Sequence, residues 1–122
     1  MQDPLRQFKA EFFKALAHPA RIKILELLRE GELSVTALQA RLEIEPSGVS
    51  QQLGILRGKH IVESRKDGTS VYYRVRDPQV FELLDVARRI FSNNLTNTQT
   101  MLAQLKQEQD SLPKPKTRRA RG

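Results

Sequence analysis

Cysteine is absent from all 122 residues, which excludes disulfides, thiolate metal ligation and thiol redox switching. Histidine is scarce: His18 and His60 are the two, and none follows Pro78. There is no phosphate-binding Gly-rich loop, no cysteine nucleophile and no cluster of histidines with carboxylates, so an enzyme is not expected and neither is a cofactor. No apolar run approaches the ~20 residues that span a bilayer, and the amino terminus lacks a signal-peptide pattern. The expectation is a soluble, cytoplasmic protein with no membrane partner.

What the chain does have is positive charge, +7 overall with a pI near 10.1, and its position matters more than its total. Of the 21 basic residues, Lys114, Lys116, Arg118, Arg119 and Arg121 follow Pro113, leaving 16 against all 14 acidic residues. Within that near-balanced body, Pro46 to Arg76 carries six cations against Glu63 and Asp67, whereas Glu26 to Glu45 carries five acids against Arg29 and Arg41. The length suits one domain with a modest core, which oligomerisation would enlarge. Residues 1–108 read as that domain and residues 109–122 as a basic, disordered tail, serving either as a solubiliser or as a non-specific phosphate contact.

The most informative stretch is Ser34 to Arg76. Ser34 is placed to cap a helix with Val35, Leu38 and Leu42 facing inward, and Pro46 suits the first turn of a second helix because its missing N–H is not needed there. In that second helix Val49, Leu53 and Leu56 fall within about 60° of one another at ~100° per residue, while Ser47, Gln51, Gly54 and Gly58 project to the other side, flanked by Ser50 and Ile55. One face packs and the other is free to dock. Serine and glutamine there match base edges and phosphates, glutamine pairing with adenine. Gly54 admits two readings, a close approach to another surface or simply a weak point in the helix.

Two runs rich in β-branched and aromatic residues follow, Ile61 to Arg65 and Val71 to Val75, with Asp67-Gly68 between them as a hairpin signal. Arg65, Lys66, Arg74 and Arg76 load the hairpin with charge. Read alone, this is a strand edge guarded by cations against aggregation; beside a polar-faced helix it is a wing that grips phosphate or enters the minor groove. Two helices, a tight turn and a basic hairpin describe a winged helix-turn-helix, mainly α with a small β-hairpin, which binds double-stranded DNA. The DNA-facing residues expected are Ser47, Gly48, Ser50, Gln51, Gln52 and Arg57 on the recognition helix, with Arg65, Lys66, Gly68, Thr69 and Arg74 on the wing.

At the ends of the chain, Asp3-Pro4 opens a helix bearing Leu5, Phe8, Phe12, Phe13 and Leu16, and Pro78 opens another bearing Val80, Phe81, Leu84, Ala87, Ile90, Phe91, Leu95, Met101, Leu102 and Leu105. A domain this small hides one side of each, so Leu5, Phe8, Phe12, Leu84, Ala87, Phe91, Leu95 and Leu102 are expected in a homodimer interface. Ser92-Asn93-Asn94 and Thr96-Asn97-Thr98 are poor helix formers where the last helix kinks or breaks. Phe8, Phe12, Phe91 and Met101 either pack as ordinary interface or line a cavity for an organic effector.

From Phe12 to Tyr73 the sequence resembles the ArsR/SmtB family of bacterial repressors. The resemblance is carried by Leu16-Ala17-His18-Pro19-Ala20-Arg21 with Ile24, Leu25 and Leu28; by Leu33-Ser34-Val35; by Ser47-Gly48-Val49-Ser50-Gln51-Gln52-Leu53 with Leu56-Arg57; and by Val62, Arg65, Asp67-Gly68 and Tyr72-Tyr73. It implies a homodimeric winged-helix repressor that dimerises through its terminal helices and whose effector changes DNA affinity. The family's metal sensors carry cysteines where this chain has Ser34 and Thr36, and hydroxyls are poor ligands for soft or borderline metals. Other members use Asp, Glu and His on the last helix, which here has no histidine. No metal site is therefore carried over. His18 is read as a helix cap or packing residue, and His60, where the family has glycine, as adopting a left-handed or bridge conformation. The expected function is a sequence-specific transcriptional regulator binding a pseudo-palindrome, with a winged-helix protein-interaction module as the alternative, its partner doing the sensing.

Overall fold

The computed structural model describes residues 3–94 and 99–112. The element order is α1 (Pro4–Leu16), α2 (Pro19–Leu28), β1 (Leu33–Ser34), α3 (Val35–Arg41), α4 (Pro46–Gly58), β2 (Val62–Asp67), β3 (Ser70–Val75), α5 (Gln79–Asn94) and α6 (Gln99–Ser111). Contacts divide the chain into two compact units, Met1–Phe81 and Glu82–Gly122.

Local chemistry sets the helix starts. Asp3 accepts from the Arg6 N–H and Pro4 follows, which fixes the first turn of α1. His18 caps α2, its Nδ1 accepting from the Ala20 N–H at 3.1 Å ahead of Pro19, as one of its two expected roles required. Ser34 caps α3 through Oγ, which accepts from the Ala37 N–H at 3.0 Å. Pro46 opens α4 after Glu45, whose side chain makes no capping bond. The end of α4 is closed differently. The Ile61 N–H bonds to Leu56 O and the His60 N–H to Arg57 O, both at 3.0 Å, with His60 at φ +61°. That is a Schellman motif, completed by the buried pair Leu56 and Ile61.

The core of the first unit lies where α2, α3 and α4 meet the sheet. Ile24, Leu25, Leu28, Leu38, Val49, Leu53, Leu56 and Val62 are fully buried. Each contributes roughly 1.5 to 3 kcal/mol of hydrophobic stabilisation. The expected inward positions of α4 are all found there. Arg29 donates from Nη2 to Phe81 O at 3.2 Å and stacks over the Phe81 ring at 5.2 Å.

The hairpin differs from its expected form in one detail. Strands β2 and β3 pair as far as Asp67 with Ser70, so the turn residues are Gly68 and Thr69 rather than a five-residue loop. Gly68 takes φ +66° and Thr69 does not share it, the sign pattern of a type II′ hairpin turn, which needs glycine at its first central position. The sheet also gains a third strand, in the order β1-β3-β2 with Leu33 opposite Tyr73 and Ser34 opposite Tyr72. Two residues carry no alternation to read, so β1 is created by pairing with β3 and not by local propensity.

The second unit holds most of α5 and all of α6; the expected kink or break between them falls partly on residues 95–98, which lie outside the described residues. Arg88 donates from Nη1 to Asp85 at 3.0 Å and lies 3.9 Å from Glu108 of α6. Helix α6 runs to Ser111, since nothing in Gln109-Asp110-Ser111 breaks a helix. The basic residues after Pro113 lie outside the described residues, as does Leu95.

Candidate nucleic-acid interface

Helix α4 presents Ser47, Ser50, Gln51, Gly54, Arg57 and Gly58 to solvent. These are small or polar side chains on one side of a helix anchored on the other by Val49, Leu53 and Leu56, the arrangement a recognition helix needs. Gly48 and Gln52, also expected at DNA, are half-buried. The side chain of Ile44 covers Gly48, its Cδ1 lying 3.5 Å from where a Cβ would stand. Gln52 Oε1 accepts from Arg21 Nε at 2.8 Å, and Arg21 Nη1 donates to Ala15 O at 2.9 Å. Gln52 thus fastens α4 to the end of α1 through Arg21, leaving its amide N–H groups for any other partner.

On the hairpin Arg65, Lys66, Gly68, Thr69 and Arg74 are all exposed. The pleat sorts them. Glu63, Arg65, Tyr72 and Arg74 share the outer face of the sheet, while Lys66 lies on the same face as the buried Val62, Tyr73 and Val75. Both outer arginines are engaged. Arg65 donates to the Glu32 carboxylate through Nε at 2.9 Å and Nη2 at 2.8 Å, and its guanidinium lies 4.7 Å from the centre of the Tyr72 ring. Arg74 donates from Nε to Glu63 at 2.7 Å, with Nη2 also at 2.6 Å from the same oxygen. The hydrogen bond from Arg65 holds the Glu32 carboxyl below its ordinary pKa, and the same bond raises that of Arg65. Lys66, Arg57 and Arg76 make no ion pair among the described residues.

Reading the residues in order had not identified Glu32, Glu63 or Arg21. Glu63 had a signal: once the turn is placed at Gly68-Thr69, antiparallel counting sets it opposite Arg74. Glu32 had none, because its approach to Arg65 depends on the β1–β3 pairing.

The expected interface residues are placed unit by unit. In the first, Leu5, Phe8 and Phe13 are more than half exposed, and Phe12 is half-buried with its ring edge-on to Phe13 at 5.4 Å. In the second, Phe91 is exposed and Leu84, Ala87 and Leu102 are half-buried; Val86, Ile90 and Met101, outside that expectation, are exposed as well. A cleft of about 340 Å³ in the second unit is lined by Phe91, Asn94, Met101, Gln104, Leu105 and Glu108. At the family's thiolate positions, Ser34 spends its oxygen on the helix cap, and among the described residues no three His, Asp or Glu side chains gather where a metal ion would be held. No helix among the described residues is long and apolar enough to cross a membrane.

The family described as bacterial regulatory protein, arsR family, matches residues 18–64, from the cap of α2 into β2. An uncharacterised helix-turn-helix-type transcriptional regulator of Mycobacterium tuberculosis is 46% identical over 105 residues, 85% of this chain and 92% of its own. Its crystal structure superposes with a TM-score of 0.71 at 48% identity, over 77% of this chain and 95% of that one. The biofilm growth-associated repressor of Agrobacterium fabrum is 39% identical over 82 residues, 67% of this chain and 70% of its own. A homodimeric winged helix-turn-helix DNA-binding domain from Mycobacterium bovis, solved by NMR and described as a possible ArsR-family regulator, gives a TM-score of 0.70 at 30% identity, over 80% of this chain and 94% of that one. With 46% identity to a relative over 92% of that relative's length, this chain belongs to the arsR family of bacterial regulatory proteins, a family of regulators and not of enzymes.

Proposed function

We propose that this regulator acts in the cytoplasm as a homodimeric repressor, binding a pseudo-palindromic operator and occluding the promoter that contains it. The observation that carries the reading is the polar, exposed face of α4, held by a core on its other side and followed directly by a basic hairpin. Ser47, Ser50 and Gln51 read bases or phosphates, with the backbone at Gly48 and the free amide of Gln52 at the margin, and Arg57 grips the backbone of the duplex. On the wing Lys66, Gly68 and Thr69 approach DNA, and Arg65 and Arg74 join them to the extent that their carboxylates release them. Dimerisation is supported in the first unit by the exposed Leu5 and Phe8 and the half-buried Phe12, in the second by the exposed Phe91 and the half-buried Leu84, Ala87 and Leu102, and by the homodimeric state of the M. bovis relative. The first 108 residues serve as the DNA-binding and dimerisation domain, and the basic tail beyond adds sequence-independent affinity. Release from the operator comes from an organic ligand, a partner protein or a fall in repressor concentration, and the cleft beside Phe91 and Met101 offers a ligand its seat.

Base reading and grip separate experimentally. On an operator selected from a random pool, Gln51→Ala is expected to weaken binding by about 1 to 3 kcal/mol and relax one base position, leaving affinity for random duplex unchanged. Lys66→Ala is expected to weaken both and to lower the salt slope by about 0.9 per lost phosphate contact. Equal losses on operator and random DNA for the Gln51 variant would show that it does not read a base. Failure of the intact protein to bind any duplex would favour the protein-interaction module instead.

A further inference from the structure

The two arginines that make the wing look basic are both neutralised by the protein itself. Arg65 meets Glu32 through two parallel N–H···O bonds at 2.9 and 2.8 Å, its remaining Nη1 lies 3.8 Å from Asp67, and its planar group rests on the Tyr72 ring. A guanidinium bound bidentately by a carboxylate uses the same donor edge that would grip a phosphate. Arg74 is engaged through Nε and Nη2 by Glu63, its cross-strand neighbour. The two pairs lie side by side on one face of the sheet, and Glu32 reaches it from the residue before β1, so the arrangement is built by the fold and not by neighbours in sequence. Lys66, between them in the chain but on the other face, makes no ion pair among the described residues, and neither does Arg76 just past β3.

We propose that Glu32 and Glu63 are positioning residues that stand in for DNA phosphate, holding Arg65 and Arg74 off the duplex and thereby setting the sequence-independent affinity of the wing. This rests on the DNA-binding reading above. Each arginine that keeps its carboxylate adds nothing to counterion release, so the wing grips less tightly than its sequence charge implies. The carboxylate exerts its effect through its arginine, and removing it frees one cation per wing.

The test measures binding to random-sequence duplex across a salt series for the full chain and for Glu32→Gln, Arg65→Ala, the double variant and Lys66→Ala. Glu32→Gln keeps the shape of an exposed side chain and removes its charge. It is expected to bind about fivefold more tightly near 0.1 M salt and to steepen the salt slope by about 0.9 per wing. Arg65→Ala alone is expected to stay within about twofold of the parent, and Glu32→Gln is expected to have no effect in the Arg65→Ala background, which is the signature of action through Arg65. Glu63→Gln with Arg74→Ala repeats the cycle independently. A Glu32→Gln protein that binds no tighter, or whose gain persists without Arg65 as a general effect of net charge, overturns the proposal. Lys66→Ala reports on the underlying reading: unchanged binding by both Lys66→Ala and Glu32→Gln would refute the wing as a DNA contact, whereas weakened binding by Lys66→Ala with no gain for Glu32→Gln overturns this proposal alone.

Discussion

His60 holds φ +61° on a side chain that gains nothing sterically from it, since left-handed backbone costs an L-residue about 1 to 2 kcal/mol. The position is imposed by the Schellman closure of α4, whose two hydrogen bonds to Arg57 and Leu56 require such a residue at that point. Replacing His60 with glycine is therefore expected to stabilise the fold by about 0.5 to 1 kcal/mol, the relief of strain exceeding the added freedom of the unfolded chain. Urea denaturation measures this, and a loss of stability would reveal a contact of the imidazole that outweighs the strain. Both histidines were legible as structural residues because each sits at a helix boundary, His18 before a proline and His60 two residues past the last helical glycine. The arginines of the wing were legible only as charges. What each one touches depends on a carboxylate brought from elsewhere in the fold, and for Arg65 that carboxylate is 33 residues away.

Among the elements, the helix-turn-helix reads most directly from sequence because every boundary has its own chemistry. Ser34 caps α3, Pro46 starts α4, and the apolar spacing of Val49, Leu53 and Leu56 fixes which face of α4 is left exposed. Ser34→Ala removes the acceptor for the Ala37 N–H and is expected to lower stability by about 1 kcal/mol, with Ser34→Asp retaining most of it. Equal stability for the alanine variant would mean that the β1–β3 pairing at Ser34, and not the cap, holds the start of α3. The hairpin was legible in its existence and in the need for glycine, but its turn proved shorter, since Asp67 and Ser70 pair as strand residues despite their turn propensity. Tertiary pairing overrode local preference there and created β1 outright. The expected kink or break in the Asn- and Thr-rich run falls partly outside the described residues, α5 being described to Asn94 and α6 from Gln99.

At the scale of the whole molecule, the formal +7 is a poor guide to the charge the wing offers, because five cations lie beyond Pro113 and two wing arginines are paired internally. In the proposed reading specificity comes from two copies of α4 meeting two half-sites, with the exposed apolar residues of α1 and of α5 covered by the second copy. The most direct measurement is selection of bound duplex from a random pool by the full chain, followed by sequencing of the bound fraction. The expected winner is a pseudo-palindrome with half-sites about 10 bp apart, centre to centre, one helical turn of DNA. A single asymmetric half-site, or a bound fraction no different from the starting pool, would contradict a dimer that reads sequence through α4.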